Sequence, residues 1–350
     1  MKKYIFLALA VIFTACNDAT DKSSSSTAEP ADTPADYFLG SWALDLDYEN
    51  NTAGWLNISK ENDYLDAELL WRWGSVTPVE FAFYTDGQFF VTRGRNIVRE
   101  KDAEGNAAKT HHAINWLNIV KTGDDKIGGI AYFPSASGLK MEKVNFSGKR
   151  IPEATEKPDL STVDFGDPVS LISENSLDGW VLLEKGAVNG WSVTDGVLRN
   201  DPVQNKEGEH IHYGNLKTTE EYEDFRLTLE VNVPEGSNSG IYLRGIYEVQ
   251  VSDSYGKETD SHNMGALYSR IEPSVSAEKP AGSWQDLDIT LYDRYLTVIL
   301  NGIPIIENQP VRGVTGGAIT ADEFAPGPIY LQGDHGAVAY RNIELTPIVK

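Results

Sequence analysis

The chain has 350 residues, with 52 Asp and Glu against 30 Lys and Arg, a formal net charge of −22, and a single cysteine. That charge repels phosphate backbones, and no basic stripe with interleaved aromatics is present, so nucleic acid is not an expected partner. One cysteine rules out an internal disulfide and a cysteine-based metal cluster, and the length exceeds what one compact core usually serves, which predicts two domains.

The first segment reads as a lipoprotein signal peptide. Lys2 and Lys3 precede an apolar run from Tyr4 to Phe13, and Thr14 and Ala15 lead to Cys16. The run is shorter than the roughly 20 residues that a spanning helix needs. Ala15 supplies the small residue before the cleaved bond, and Cys16 is the expected acyl acceptor, although Phe13 stands where leucine is usual. The expected location is the cell envelope, with contact to the membrane through the lipid anchor only. Residues 17 to 35 are Ser, Thr, Asp, Ala and Pro without apolar periodicity and predict a disordered tether.

From Asp36 to Arg150 short alternating runs such as Gly54 to Ile58 and Gln88 to Thr92 are separated by Gly- and Asp-rich turns, which predicts a small antiparallel β domain. Trp42, Trp55, Trp71, Trp73 and Trp116 fall in it; tryptophan can stack on sugars but in a small barrel more often belongs to the core. His111 and His112, being adjacent, point to opposite faces of a strand and cannot share a metal from that strand alone. Prolines and clustered charges between Ser147 and Asp159 place the domain boundary there, with a linker over 151–163.

The remainder, 164–350, alternates more clearly. Phe225, Leu227, Leu229, Val231 and Val233 are apolar while the residues between them are polar, the period of a half-buried strand. Further strands are predicted at Gly240 to Arg244, Tyr247 to Asp253, Gln285 to Leu291, Leu296 to Leu300 and Ile329 to Gln332, with Asn301 and Gly302 making a tight hairpin turn. No long helical pattern appears. The fold class is therefore all-β, and the strand spacing suggests a two-sheet jelly-roll sandwich, whose open face is where ligands usually lie.

A family resemblance rests on several pieces in order: Leu177-Asp178-Gly179-Trp180, Trp191 to Leu198, Asn238-Ser239-Gly240-Ile241-Tyr242-Leu243-Arg244, Tyr247-Glu248-Val249-Gln250, Leu300-Asn301-Gly302, and Leu331 to Gly336 with Tyr340 to Ile343. Together they resemble the 3-keto-disaccharide hydrolase family. The resemblance implies a concanavalin-A-like jelly roll that cleaves glycosides already oxidised to a ketone at carbon 3, by elimination or net hydrolysis. A ketone there acidifies the carbon-2 proton, so one base and one oxyanion stabiliser suffice, whereas an ordinary glycosidase needs two flanking carboxylates. On the strand from Tyr247 to Asp253, alternation puts Glu248, Gln250 and Ser252 on one face and Asp253 on the other, so only one carboxylate is expected to face the cleft, which counts against the ordinary two-carboxylate mechanism.

His262, in a polar loop after that strand, is the first candidate base, and His335, beside Asp334 at a turn, the second. His210 and His212 would share one face of a strand, a weak metal signal. Glu248 either works in the cleft or pairs structurally with Arg244. The enolate could be stabilised by Arg244 or by a divalent cation on Glu248, Asp253 or His262; Tyr242, Tyr268 and Trp284 could stack on the sugar, and Gln250, Gln332 and His335 complete the candidate contacts. Nothing resembles a dinucleotide fold, so a separate dehydrogenase is expected to supply the ketone. The other classes in view are a non-catalytic carbohydrate-binding lipoprotein and a structural envelope protein.

Overall fold

The computed structural model describes residues 34–50, 52–204 and 211–349. The expected signal segment, Cys16, almost all of the expected tether and His210 lie outside them. Among the described residues there is no α-helix, only two short 3-10 turns at Ala35–Phe38 and Leu160–Thr162, and no helix is long and apolar enough to cross a membrane. The chain is all-β, a jelly-roll sandwich preceded by a smaller antiparallel domain.

The first domain is one nine-stranded antiparallel sheet running from Gly40–Leu46 to Met141–Ile151. Consecutive strands pair, except Thr77–Pro78 and Phe81–Thr85, which are the two edges, and the first and last strands also pair with each other, Ala43 opposite Lys149. The sheet curls until its two edges nearly meet at Val79 and Glu80, whose amides donate to Ala67 O (3.0 Å) and Thr92 O (2.9 Å). That removes the exposed edges a flat sheet would leave. Alternation turns Trp42, Leu44, Leu56, Ile58, Phe89 and Ile119 inward, all essentially fully buried. Phe38, on the first 3-10 turn, packs against Phe89 with ring centroids 5.5 Å apart. The last strand runs through to Ile151, so the charged Lys149 and Arg150 belong to the barrel and Ile151, the first residue of the expected linker, ends its last strand.

In the second domain a large sheet orders Trp191–Thr194, Val197–Asn200, Val338–Val349, Phe225–Asn232, Trp284–Tyr292, Tyr295–Leu300 and Ile303–Pro310. A smaller sheet orders Trp180–Leu182, Leu216–Thr218, Tyr330–Leu331, Asn238–Leu243 and Tyr247–Ser252. Leu227, Val231, Ile289, Leu291 and Val298 from the first meet Ile241, Val249, Val251 and Leu331 from the second in one buried core. Asn301 and Gly302 take φ of 53° and 79°, the left-handed pair a two-residue hairpin needs.

The two domains share packed surface. Ala53, Trp55 and Leu70 of the barrel join the hydrophobic core of the sandwich. Arg270 lies 4.0 Å over the Trp55 ring, and a Cβ on Gly313 would come within 2.2 Å of that indole nitrogen, so Gly313 is where the tryptophan is admitted.

Candidate active site

The small sheet turns one side to the core and the other to a cleft of about 670 Å³, within the usual size of a small-molecule site. Its floor follows from the period of two: Tyr242, Glu248, Gln250, Tyr330 and Gln332 reach the cleft while Ile241, Val249, Val251 and Leu331 reach the core. Loops supply the walls, with Glu184, His212 and Asn215 on one side, Asp334 and His335 on another, and Trp73 and Gly74 of the first domain on a third.

Glu248 is 3% exposed, and burial lifts its carboxyl to about 8, against a weaker lowering by Tyr242. A Cβ on Gly240 would sit 2.3 Å from Glu248 Oε1, so the glycine of the Asn238-Ser239-Gly240 motif is what makes room for this side chain. Tyr242 Oη lies 2.8 Å from Glu248 Oε2 and 2.7 Å from Gly316 O. The hydroxyl has one proton and faces two acceptors. A protonated Glu248 resolves the conflict, donating to Tyr242 Oη while Tyr242 donates to the Gly316 carbonyl, in keeping with the raised carboxyl. The Tyr242 ring stacks on Tyr330 at 3.9 Å, so that face of it is taken up by a neighbour rather than offered to a sugar.

His335 Nδ1 lies 2.6 Å from Asp334 Oδ1. That contact comes first among the causes that raise the imidazole above its ordinary value, against an opposing effect of burial. With Nδ1–H donating to the aspartate, Nε2 is left as the basic nitrogen of a half-exposed ring. Asn215 holds Glu184 by its backbone amide (2.8 Å) and its side-chain amide (2.6 Å), and accepts from Gly333 N at 2.8 Å, which ties two walls together. Burial raises the Glu184 carboxyl. Gln250 Oε1 and Gln332 Oε1 are buried with no protein donor, acceptors that suit sugar hydroxyls.

Several sequence expectations fall elsewhere. His262 lies in a smaller adjacent hollow that shares only Asn238, Gln250 and Tyr268 with the main cleft, and its Nε2 is 2.8 Å from Ser75 Oγ. Arg244 does not pair with Glu248 and is not on the cleft. It occupies a turn with φ of 54° and donates to Ala325 O and Glu323 O instead. Trp284 sits on the outer face of the large sheet beneath Arg341 (4.1 Å), because its odd register with Gln285 and Leu287 puts it opposite the core. Asp253 accepts from Gly236 N at 2.9 Å. Among the described residues no three His, Cys, Asp or Glu side chains come together to hold a metal, and Glu248, Asp253 and His262 do not converge, so no step is derived through a cation. Tyr268 does border the cleft, edge-on to His262 at 4.9 Å.

The count of one carboxylate holds for the strand but not for the cleft, which also carries Glu184 and Asp334. Alternation reports only on the strand it is read from, and both of these sit on loops. Tyr330 was within reach of sequence reasoning, since it alternates with Leu331 and shares a face with Gln332. For Glu184, Asn215 and Trp73 no local pattern signals the site.

Residues 167–346 match the model of the 3-keto-alpha-glucoside-1,2-lyase-like domain. Among solved structures, a candidate glycosyl hydrolase from Parabacteroides distasonis ATCC 8503 is 27% identical over 55% of this chain and 94% of its own, with a TM-score of 0.42. A second from the same organism is 24% identical over 51% and 98%, with a TM-score of 0.40. The carbohydrate binding module CBM66 from Bacillus subtilis is 11% identical over 47% and 94%, with a TM-score of 0.31. No curated protein matches.

Proposed function

Because the chain belongs to the family of 3-keto-alpha-glucoside-1,2-lyase-like domains, we propose that it cleaves glycosides bearing a ketone at carbon 3. The observation that carries this is the buried Glu248, its carboxyl raised to about 8 by burial and held 2.8 Å from Tyr242 Oη, in the same cleft as the His335–Asp334 pair. One acid and one base at different protonation levels are what an elimination next to a ketone needs.

The step balances as follows. His335 Nε2 takes the proton from carbon 2, and the electrons of that bond pass to the carbon-3 carbonyl as an enolate. Lys185 on the cleft wall supplies positive charge for it. The ketone re-forms as the bond from carbon 1 to the glycosidic oxygen breaks, leaving a double bond between carbons 1 and 2. Glu248 gives its proton to the departing oxygen. Water adding to carbon 1, with a proton returned to carbon 2, converts the lyase product to that of net hydrolysis. Gln250 and Gln332 accept from ring hydroxyls and orient the sugar. The ketone itself is introduced by a separate oxidoreductase.

Release of aglycon from an aryl 3-keto-glucoside and from its unoxidised parent tests the reading. Release from the keto form alone is the expected result, since only the ketone makes the carbon-2 proton removable. Equal rates would point to ordinary two-carboxylate hydrolysis, for which Glu184, Glu248 and Asp334 are available. Binding of both without turnover would make the cleft a carbohydrate-binding site.

A further inference from the structure

The first domain does not merely precede the sandwich. Its segment from Arg72 to Val76 leaves the barrel at the end of the strand Tyr64–Trp71 and enters the cleft of the second domain. Four contacts fix it there. Arg72 O accepts from Gly317 N at 2.9 Å, Ser75 Oγ meets His262 Nε2 at 2.8 Å, and Val76 N donates to Ser269 Oγ at 2.9 Å. The fourth is a backbone approach so close that a Cβ on Gly316 would lie 2.1 Å from Gly74 O. From the barrel side, the Arg72 guanidinium lies 3.8 Å over the Tyr48 ring and donates to Asn50 O at 3.0 Å. Arg72 and Gly74 hold φ of 68° and 72°, and for arginine that conformation costs about 1 kcal/mol or more, which the surrounding contacts offset.

A strained, doubly anchored segment keeps one large apolar side chain in view of solvent. Trp73 is 53% exposed, yet it borders the same cleft as Glu248 and His335. An indole left half in water at the rim of a polar cleft, on a segment that cannot swing away, has the character of a stacking platform for a ring. The keto sugar must occupy the floor, where Glu248 and the two glutamines lie. The ring reaching the rim is therefore the one attached to its carbon 1.

Resting on the proposed function, we infer that the first domain completes the substrate site, and that Trp73 is a specificity-determining residue that stacks on the leaving-group ring of a 3-keto glycoside, either a second sugar or an aromatic aglycon. Tyr242 and Tyr330 face each other and leave this role to the first domain.

The test compares the full chain with Trp73→Ala and Trp73→Phe on three 3-keto-glucosides whose leaving groups are methanol, glucose and a phenol. Trp73→Ala should raise KM at least tenfold for the glucosyl and aryl substrates and less than twofold for the methyl one, with kcat and the thermal midpoint nearly unchanged. Trp73→Phe should restore most of the loss. An equal rise for all three, or no change for any, overturns the inference while leaving the proposed function standing. If the wild-type protein turns over none of them, the proposed function fails, and titration calorimetry with the same ligands decides the inference separately. A Trp73-dependent preference for ring-bearing ligands sustains it; equal binding of all three, or none, overturns it.

Discussion

Two histidines stand on loops beside the small sheet, each near an aspartate, and the contrast between them shows what separates a contact between domains from a side chain of the cleft. His262 Nδ1 is 3.6 Å from Asp260, its Nε2 is engaged by Ser75 of the other domain, and its ring stands edge-on to Tyr268. His335 holds Asp334 at 2.6 Å, has its basicity raised, and lies within electrostatic reach of the buried Glu248. The first histidine joins the domains; the second belongs to the cleft. Neighbouring residue types alone do not separate the two roles, because both loops read as polar turns.

The largest expected effect breaks the pair apart. His335→Ala should lower kcat on a 3-keto-glucoside by roughly 10²- to 10⁴-fold, whereas His262→Ala should cost less than about threefold in kcat; steady-state kinetics on both variants checks this, and the reverse order would return the base to His262. Next comes Glu248→Gln, with a loss of about 10²-fold and a changed pH profile. In the wild type, activity should fall as pH rises through about 8, where Glu248 loses its proton, and fall as pH drops through a value above the usual 6.5, where His335 gains one. The variant should keep the acid limb and lose the alkaline one. Stability offers an independent reading. A carboxyl raised from 4.5 to about 8 contributes stability that is present below its unfolded pKa and is lost as pH rises through the folded one. Thermal melts of Glu248→Gln against wild type should therefore separate in favour of the variant between about pH 4.5 and 8 and keep that gap at higher pH. The smallest effect sharpens the boundary of the site: Trp284→Ala should leave KM and kcat within twofold and lower stability by about 0.5–1 kcal/mol through the lost stack with Arg341, measured by denaturant titration.

Much of the fold was legible because alternation is a local property. Phe225 to Val233 show on the page which side of their strand is dry, and Asn301-Gly302 names its own turn. The same rule correctly grouped Glu248 with Gln250. Trp284 was a candidate by residue type alone, and its strand turns it outward from the large sheet, away from the cleft. Alternation went astray at Arg244, where the strand ends in a left-handed turn and the period of two no longer applies.

By itself, the order of residues determined the all-β class, the family and the strand residues that share the floor of the cleft, since each rests on spacing within one strand or a string of short motifs. Tertiary structure alone decided the raised carboxyl of Glu248, the separation of His335 from His262, and the entry of Trp73 into the cleft. Each of these depends on packing: burial sets the carboxyl, the cleft brings His335 beside Glu248 while Ser75 engages His262, and the contact of Gly74 with Gly316 sets the wall. Desolvation and close approach are properties of the packed molecule, and no window of neighbouring residues contains them.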